Sequence, residues 1–279
     1  MIWRIRGRDF DLSRRGMVMG ILNTTPDSFS DGGSFLDPQA AVEHGLRLAA
    51  EGADILDIGG ESTRPGAESV SAEEELRRAL PAVRALREKT TALISIDTSK
   101  AAVARAALEA GADIINDVTG LRGDPAMAAL AAETGAGVVV IHMQGEPRTM
   151  QAAPQYADVV REVGEFFRHS LGRAIASGID PMSIALDPGI GFGKAQEHNR
   201  SLVRGLAAFL EFGRPLLVGA SRKSFLGWIA GTPAMEDRFW PGVALTSLCR
   251  ERGAKIFRVH DAKPHREALR MTEAILGDA

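Results

Sequence analysis

The sequence predicts a single (β/α)8 TIM barrel, and three observations carry that prediction. Eight short apolar runs recur along the 279 residues, at 17–22 (MVMGIL), 55–59 (ILDIG), 93–97 (LISID), 114–118 (IINDV), 138–143 (VVVIHM), 183–187 (SIALD), 216–220 (LLVGA) and 256–260 (IFRVH). Most are continuous rather than alternating, as parallel strands covered on both faces are. A junction also repeats: EGADILDIG, AGADIINDV, TGAGVVVIH and RGAKIFRVH each pass through Gly-Ala into a strand. Glycine there can adopt the left-handed conformation that ends a helix and turns the chain. Finally, helical stretches separate the runs, and eight βα units fit a chain slightly longer than the ~250 residues typical of the barrel. A doubly wound α/β sheet is the alternative. No linker, charge block or low-complexity segment divides residues 1–279, so we read one domain.

The elements follow in order. The opening IWRIRGRDFDL alternates like a short β-hairpin, suited to plug the N-terminal end of the barrel. Residues 20–33, GILNTTPDSFSDGG, leave the first strand and fill with small polar residues and glycine, which build no core. Asp37-Pro38 and Asp124-Pro125 place a capping carboxylate before a proline suited to a first helical turn. ESTRPGAES (61–69) is a turn before a helix opened by Ser71 and Glu74 as a capping box. Residues 156–175 carry an apolar stripe from Tyr156 to Ile175 at helical spacing. LDPGIGFGK (186–194) is a glycine-bearing loop after the sixth strand, and SRKS (221–224) precedes a helical run, FLGWIAG.

Composition excludes several classes. With 33 basic and 36 acidic residues well mixed and a net charge of −3, no global field favours nucleic acid or an anionic membrane, so neither is expected as a partner. The single Cys249 excludes an internal disulfide framework and reads as a buried small hydrophobe in a reducing compartment. No run approaches the ~20 apolar residues of a membrane span. The expectation is a cytoplasmic protein.

Barrel chemistry sits at the C-terminal ends of the strands, and the unusual residues fall there. Asn23 follows strand 1, Glu61-Ser62-Thr63-Arg64 follow strand 2, and Asp97 ends strand 3; Asn116 and Asp117 lie in strand 4, His142 in strand 5, and Asp187 in strand 6. Ser221-Arg222-Lys223-Ser224 follow strand 7, and Arg258 and His260 lie in strand 8. Each has an ordinary structural role available. Asp97 could cap the next helix, Asn116 could satisfy backbone, Asp187 before Pro188-Gly189 could build a turn, and Lys223 could lie on a solvated helix face. Convergence of carboxylates, an amide, a lysine, an arginine and a histidine on one mouth favours chemistry instead. Arg258 and His260, two apart on a strand, share a face, while Phe257 and Val259 face the helices. Together with Asn23, Thr63 and Arg64 they suit a phosphate or pyrophosphate. Ser224 and its neighbouring amides form a second seat, for a carboxylate or phosphate.

GILNTTPDSFSDGG, DIGGESTRPG, ISIDTSK, INDVTG, HMQGEPRTMQ, LDPGIGFGK, GASRKSFLG and FRVHD, in this order, give the chain a resemblance to the dihydropteroate synthases over essentially its whole length. The resemblance implies a (β/α)8 barrel that joins (7,8-dihydropterin-6-yl)methyl diphosphate to 4-aminobenzoate and releases diphosphate with the help of Mg2+, as a homodimer. It assigns the pterin to Asp97, Asn116, Asp187 and Lys223, with Met143 and Phe192 lining, and the diphosphate to Asn23, Thr63, Arg64, Arg258 and His260. It assigns aminobenzoate to Thr63, Pro65, Phe192, Lys223 and Ser224, with Phe29 and Asp31 arriving on a mobile first loop, and the metal to Asn23. Catalysis then falls to Asp97, Lys223, Asp31, Arg258 and His260, and sulfonamides, which imitate the aryl amine, compete for its seat. His142 reads as a positioned structural residue rather than a base. FWPG (239–242) carries more aromatic bulk than this segment usually does in the family.

The physical chemistry is compatible. A dihydropterin presents two adjacent N–H donors that a buried carboxylate such as Asp187 can match bidentately. Asp97 beside a ring N–H would stabilise charge that forms only towards the transition state. A lid formed by 20–33 would exclude water that otherwise traps a pterin cation. Two further readings remain open. A pterin-dependent methyltransferase shares the barrel but has no use for a diphosphate site, and a non-catalytic pterin-binding paralogue should lack lid or diphosphate residues.

Overall fold

In the computed structural model, which describes residues 1–25, 38–63, 66–146, 148–232 and 234–277, the chain opens with the expected hairpin. β1 (Ile2–Ile5) pairs antiparallel with β2 (Arg8–Asp11). The eight apolar runs then form β3 (Met17–Asn23), β4 (Ile55–Gly59), β5 (Leu93–Asp97), β6 (Ile114–Asp117), β7 (Gly137–Ile141), β8 (Ile184–Asp187), β9 (Leu217–Val218) and β10 (Ile256–Val259). All pairings among them are parallel, in the order β8-β7-β6-β5-β4-β3-β10-β9. A parallel bridge between Leu186 and Leu216 joins the two ends, so the sheet is a barrel and not the open doubly wound alternative. The helices between strands are α1 (Pro38–Ala50), α2 (Ala72–Lys89), α3 (Ala101–Glu109), α4 (Met127–Thr134), α5 (Val159–Ala176) and α6 (Gln196–Arg204). After β9 and β10 come α7 (Ser224–Ala230), α8 (Phe239–Glu251) and α9 (Ala262–Leu276).

Side-chain alternation along each strand divides the apolar residues into two buried bodies. Val18, Leu56, Ile58, Ile94, Ile96, Phe257 and Val259 pack outward against the helices. Met19, Ile55, Leu93, Ile114, Val139, Ala185, Leu217 and Ile256 fill the barrel, where Trp3 and Ile5 of the hairpin join them. Trp3 Nε1 donates to Ser183 O at 2.9 Å. A Cβ on Gly137, the first residue of β7, would lie 3.0 Å from Ile5 and 3.3 Å from the Trp3 ring, so the hairpin stoppers the N-terminal end.

The Gly-Ala junctions behave as their chemistry requires. Gly52, Gly111, Gly135 and Gly253 have φ of 103°, 108°, 62° and 94°, and the alanine after each is buried at a strand entrance. The capping signals are realised in part. Ser71 Oγ accepts from Glu74 N at 3.2 Å, but the Glu74 carboxylate turns to Arg77 and Arg78 instead of closing the box. The helix expected at Asp124-Pro125 begins at Met127, and Asp124 instead accepts from the backbone N–H of Ala126 and of Ala101, the first residue of α3, each at 2.9 Å. The helix expected from 156 starts at Val159, because Asp158 caps it by accepting from Val160 N and Arg161 N. FWPG forms the first turn of α8, with Trp240 exposed and edge-on to Phe239. Cys249 is buried, as expected. Among the described residues no helix is long and apolar enough to cross a membrane.

Candidate active site

Strand register sets out the site. Asn23 pairs with Gly59, Gly59 with Asp97, and Asp97 with Asn116, so four neighbouring strands end in one row at the C-terminal rim. Alternation turns this row inward. Gly59 contributes no side chain; a Cβ there would stand 3.8 Å from Asn23 Oδ1 and 3.5 Å from Asp97 Cβ, so the amide and the carboxylate flank bare backbone.

Arg258 of β10 reaches across the mouth and binds two carboxylates. Its Nε donates to Asp57 Oδ2 at 2.6 Å and its Nη2 to Asp97 Oδ2 at 2.7 Å. Asn116 Nδ2 donates to the same Asp57 oxygen at 3.1 Å. Asp97 therefore caps no helix, and Asn116 bonds to a side chain rather than to backbone. Burial disfavours the Asp97 carboxylate; Arg258 opposes this, Asp57 and Glu75 add to it, and the carboxyl is pushed up to about 7. Burial alone would lower the Arg258 pKa, but the Asp57 and Asp97 carboxylates outweigh it and hold the guanidinium firmly charged.

On the opposite wall Asp187 serves both a turn and the pocket. Its Oδ1 accepts from Gly189 N at 2.7 Å, while its Oδ2 and the side chain of Arg258 flank Gly219 beyond β9. Burial raises its pKa, against the pull of Lys223. Lys223 lies just before α7 with Nζ donating to Ile190 O and standing 4.0 Å from the centre of the Phe192 ring. Burial lowers its pKa to about 8, with Asp187 opposing. Its ammonium thus faces the pocket and not a solvated helix face.

Several of the remaining predicted residues are described near this mouth. His260 is half-buried, its Nδ1 3.0 Å from Ser221 Oγ. Thr63 is half-buried beyond β4; nearby, Glu61 accepts from Val70 N at 3.0 Å and from Lys100 Nζ at 2.5 Å, which ties down the start of that loop. Met143 is buried in the barrel-interior cluster, and Phe192 packs against that cluster. Ser224 is exposed at the start of α7, where a cavity of about 220 Å³ opens beside Gln151, Gln196, Asn199 and Lys223. Phe29, Asp31, Arg64 and Pro65 lie outside the described residues. Two of the polar residues at the strand ends are structural. Asp117 accepts from Thr119 N at 2.8 Å and Leu121 N at 3.0 Å and shapes a turn. His142 is buried with Nδ1 2.9 Å from Lys194 Nζ, and burial together with that lysine lowers its pKa to about 2, so it stays neutral.

Sequence reasoning missed Asp57 and Lys194. Asp57 is a lone carboxylate inside an apolar run, two residues before Gly59 and on its inward face; such a group must find a partner, and that was the available signal. Lys194 closes the glycine loop. Its buried Nζ also donates to His142 O at 3.3 Å and Phe192 O at 3.0 Å, and burial holds its pKa well below the ordinary value. Among the described residues no group of three or more His, Cys, Asp or Glu side chains could hold a metal. The hard oxygen donors here are the Asn23 amide and the rim carboxylates. That set suits Mg2+, which binds through one or two protein oxygens, waters and substrate phosphates rather than in an all-protein cage.

Comparison with known proteins agrees with this geometry. Residues 19–260 match the family described as pterin binding enzyme. The dihydropteroate synthase of Escherichia coli K12 is 48% identical over 271 residues, covering 97% of this chain and 95% of that protein. The structure of Yersinia pestis dihydropteroate synthase with a sulfonamide drug complex superposes with a TM-score of 0.93 at 45% identity, covering 99% of this chain and 100% of that one. Xanthomonas albilineans dihydropteroate synthase with 4-aminobenzoic acid gives 0.92 at 45% identity, with 99% of each chain covered. The chain belongs to the pterin binding enzyme family and, within it, to the dihydropteroate synthases.

Proposed function

We propose that this transferase condenses (7,8-dihydropterin-6-yl)methyl diphosphate with 4-aminobenzoate to give 7,8-dihydropteroate, through a pterin cation formed before the amine attacks. The observation that carries the reading is the Asp57–Arg258–Asp97 chain: a cation suited to phosphoryl oxygens stands 2.7 Å from a carboxylate suited to the heterocycle. Asp187 accepts the paired N–H groups of the pterin edge, and Lys223 donates to the ring carbonyl. The C–O bond to diphosphate breaks with its electron pair leaving on oxygen, and the positive charge spreads into the ring through the adjacent C=N. Asp97, ionised, stabilises that charge as it develops. Arg258 and His260, with Thr63 and Arg64, receive the departing diphosphate. The amine nitrogen then bonds to the methylene and loses a proton. Phe192, Ser224 and Pro65 serve the aminobenzoate, and the role assigned to Phe29 and Asp31 is to protect the cation from water.

Asn23 would hold Mg2+ here, and the ion supplies charge neutralisation on the phosphoryl oxygens. Exposed Trp228 and Ile229 of α7, Trp240 and Leu248 of α8, and Met271 and Ile275 of α9 support a homodimer through these helices. A lone buried cysteine and the absence of a long apolar helix among the described residues fit the cytoplasm.

The test mixes protein, dihydropterin diphosphate and Mg2+ and follows diphosphate release with and without 4-aminobenzoate. Dihydropteroate appearing only with both substrates is the expected result. Pterin binding without turnover would indicate a silent paralogue, and methyl transfer to a cobalt cofactor would indicate the methyltransferase reading.

A further inference from the structure

Asp57 touches no reacting group in the chemistry above, yet it is fully buried at the base of the pocket and holds two of its members, Arg258 and Asn116. Its Oδ2 accepts from both Arg258 Nε and Asn116 Nδ2. A carboxylate paired with a guanidinium can only accept, so the edge of Asn116 that faces it must be the NH2. A 180° turn of the amide would set oxygen against oxygen in a buried contact, with the amide oxygen unpaired, while Asp57 Oδ2 kept only its Arg258 donor. The amide is therefore locked, with its oxygen turned away from Asp57. Among the described residues Asn116 Oδ1 and Asp57 Oδ1 have no hydrogen-bond partner although both are buried. Ser95 Oγ, which is beside Asp57 in the strand register, is in the same condition. Buried oxygens are nearly always paired, so the floor of this pocket is arranged for a guest that brings N–H donors.

We infer that Asp57 is a positioning residue that sets the hydrogen-bond polarity of Asn116, fixing it as the acceptor for an N–H of the bound heterocycle. The inference rests on the pterin reading of the pocket. A dihydropterin has such hydrogens available, because a carboxylate that takes the paired edge leaves the second amino hydrogen and the N–H of the reduced ring.

A polarity swap tests this. 6-Hydroxymethyl-7,8-dihydropterin, which lacks the diphosphate and so does not report on phosphate binding by Arg258, is titrated by calorimetry into wild type, D57N, N116D and D57N/N116D. D57N removes the charge that both Arg258 and Asn116 bind and offers the Asn116 amide either an oxygen or an NH2, and should weaken binding at least about tenfold. N116D brings two carboxylates face to face at the present 3.1 Å contact and should weaken it at least about a hundredfold. The double variant can turn its residue-57 NH2 to the residue-116 carboxylate, giving up the contact with Arg258 Nε, and should bind at least about tenfold more tightly than N116D. If D57N does not fold, the comparison of N116D with the double variant decides. A double variant no tighter than N116D, or variants that lose thermal stability while the folded protein keeps its pterin affinity, would overturn the inference. Wild type that does not bind the pterin would overturn the reading of the pocket instead.

Discussion

Two groups on the rim have pKa values drawn towards neutrality from opposite sides: the Asp97 carboxyl near 7 and the Lys223 ammonium near 8. The mechanism needs the first ionised and the second protonated. The rate at low pterin-diphosphate concentration should therefore peak between these values, with an acid limb set by Asp97 and an alkaline limb set by Lys223. Asp97→Asn should lower the whole profile and abolish the acid limb, and a limb that survives in the variant would assign it elsewhere. Stability has its own sign. Because folding raises the Asp97 pKa above its ordinary 3.8, its carboxyl favours the fold at low pH and that contribution is lost as pH rises through about 7. Relative to wild type, Asp97→Asn should gain melting temperature on moving from about pH 5 to about pH 8. At this scale the sequence revealed the rim residues through their positions at strand ends. It did not reveal that Arg258 is shared between Asp57 and Asp97, because that contact spans 201 residues of chain to one partner and 161 to the other.

Among the elements, the repeated Gly-Ala junction was fully legible, since a left-handed helix terminus is a local requirement that one residue type meets. Helix starts were less so. Asp124 reads locally as a cap for the helix after it, and its carboxylate also serves α3, which neither propensity nor spacing encodes. The glycine loop after β8 shows the same limit. Gly189 reads as a turn residue, but its φ of +68° is compounded by a neighbour: a Cβ there would fall 1.8 Å from His142 O, against backbone that cannot yield. Gly66, at φ +82°, has nothing within 4 Å of such a Cβ among the described residues. Gly189→Ala should thus cost more than about 3 kcal/mol in urea unfolding, and Gly66→Ala about 1 kcal/mol. Equal costs would mean that the loop moves away from β7 more easily than its ties through Lys194 imply.

For the molecule as a whole, the barrel separates what stabilises it from what reacts. Trp3 is fully buried at the N-terminal end, where its Nε1 donates to Ser183 O, so Trp3→Ala should remove about 3–5 kcal/mol of stability. Turnover per folded molecule should stay unchanged, as paired calorimetry and rate measurements would show. The homodimer proposed above would cover the exposed apolar residues of α7, α8 and α9; on that reading Trp240→Glu combined with Ile275→Glu should shift the mass seen by light scattering from dimer to monomer. The hairpin's alternation made it legible from sequence, and its destination followed only from the barrel it had to close. That closure has a kinetic corollary. A vessel corked below fills and empties through one neck, so whatever rests deepest must enter first and leave last, and an occupant of the outer seat imprisons the one beneath it.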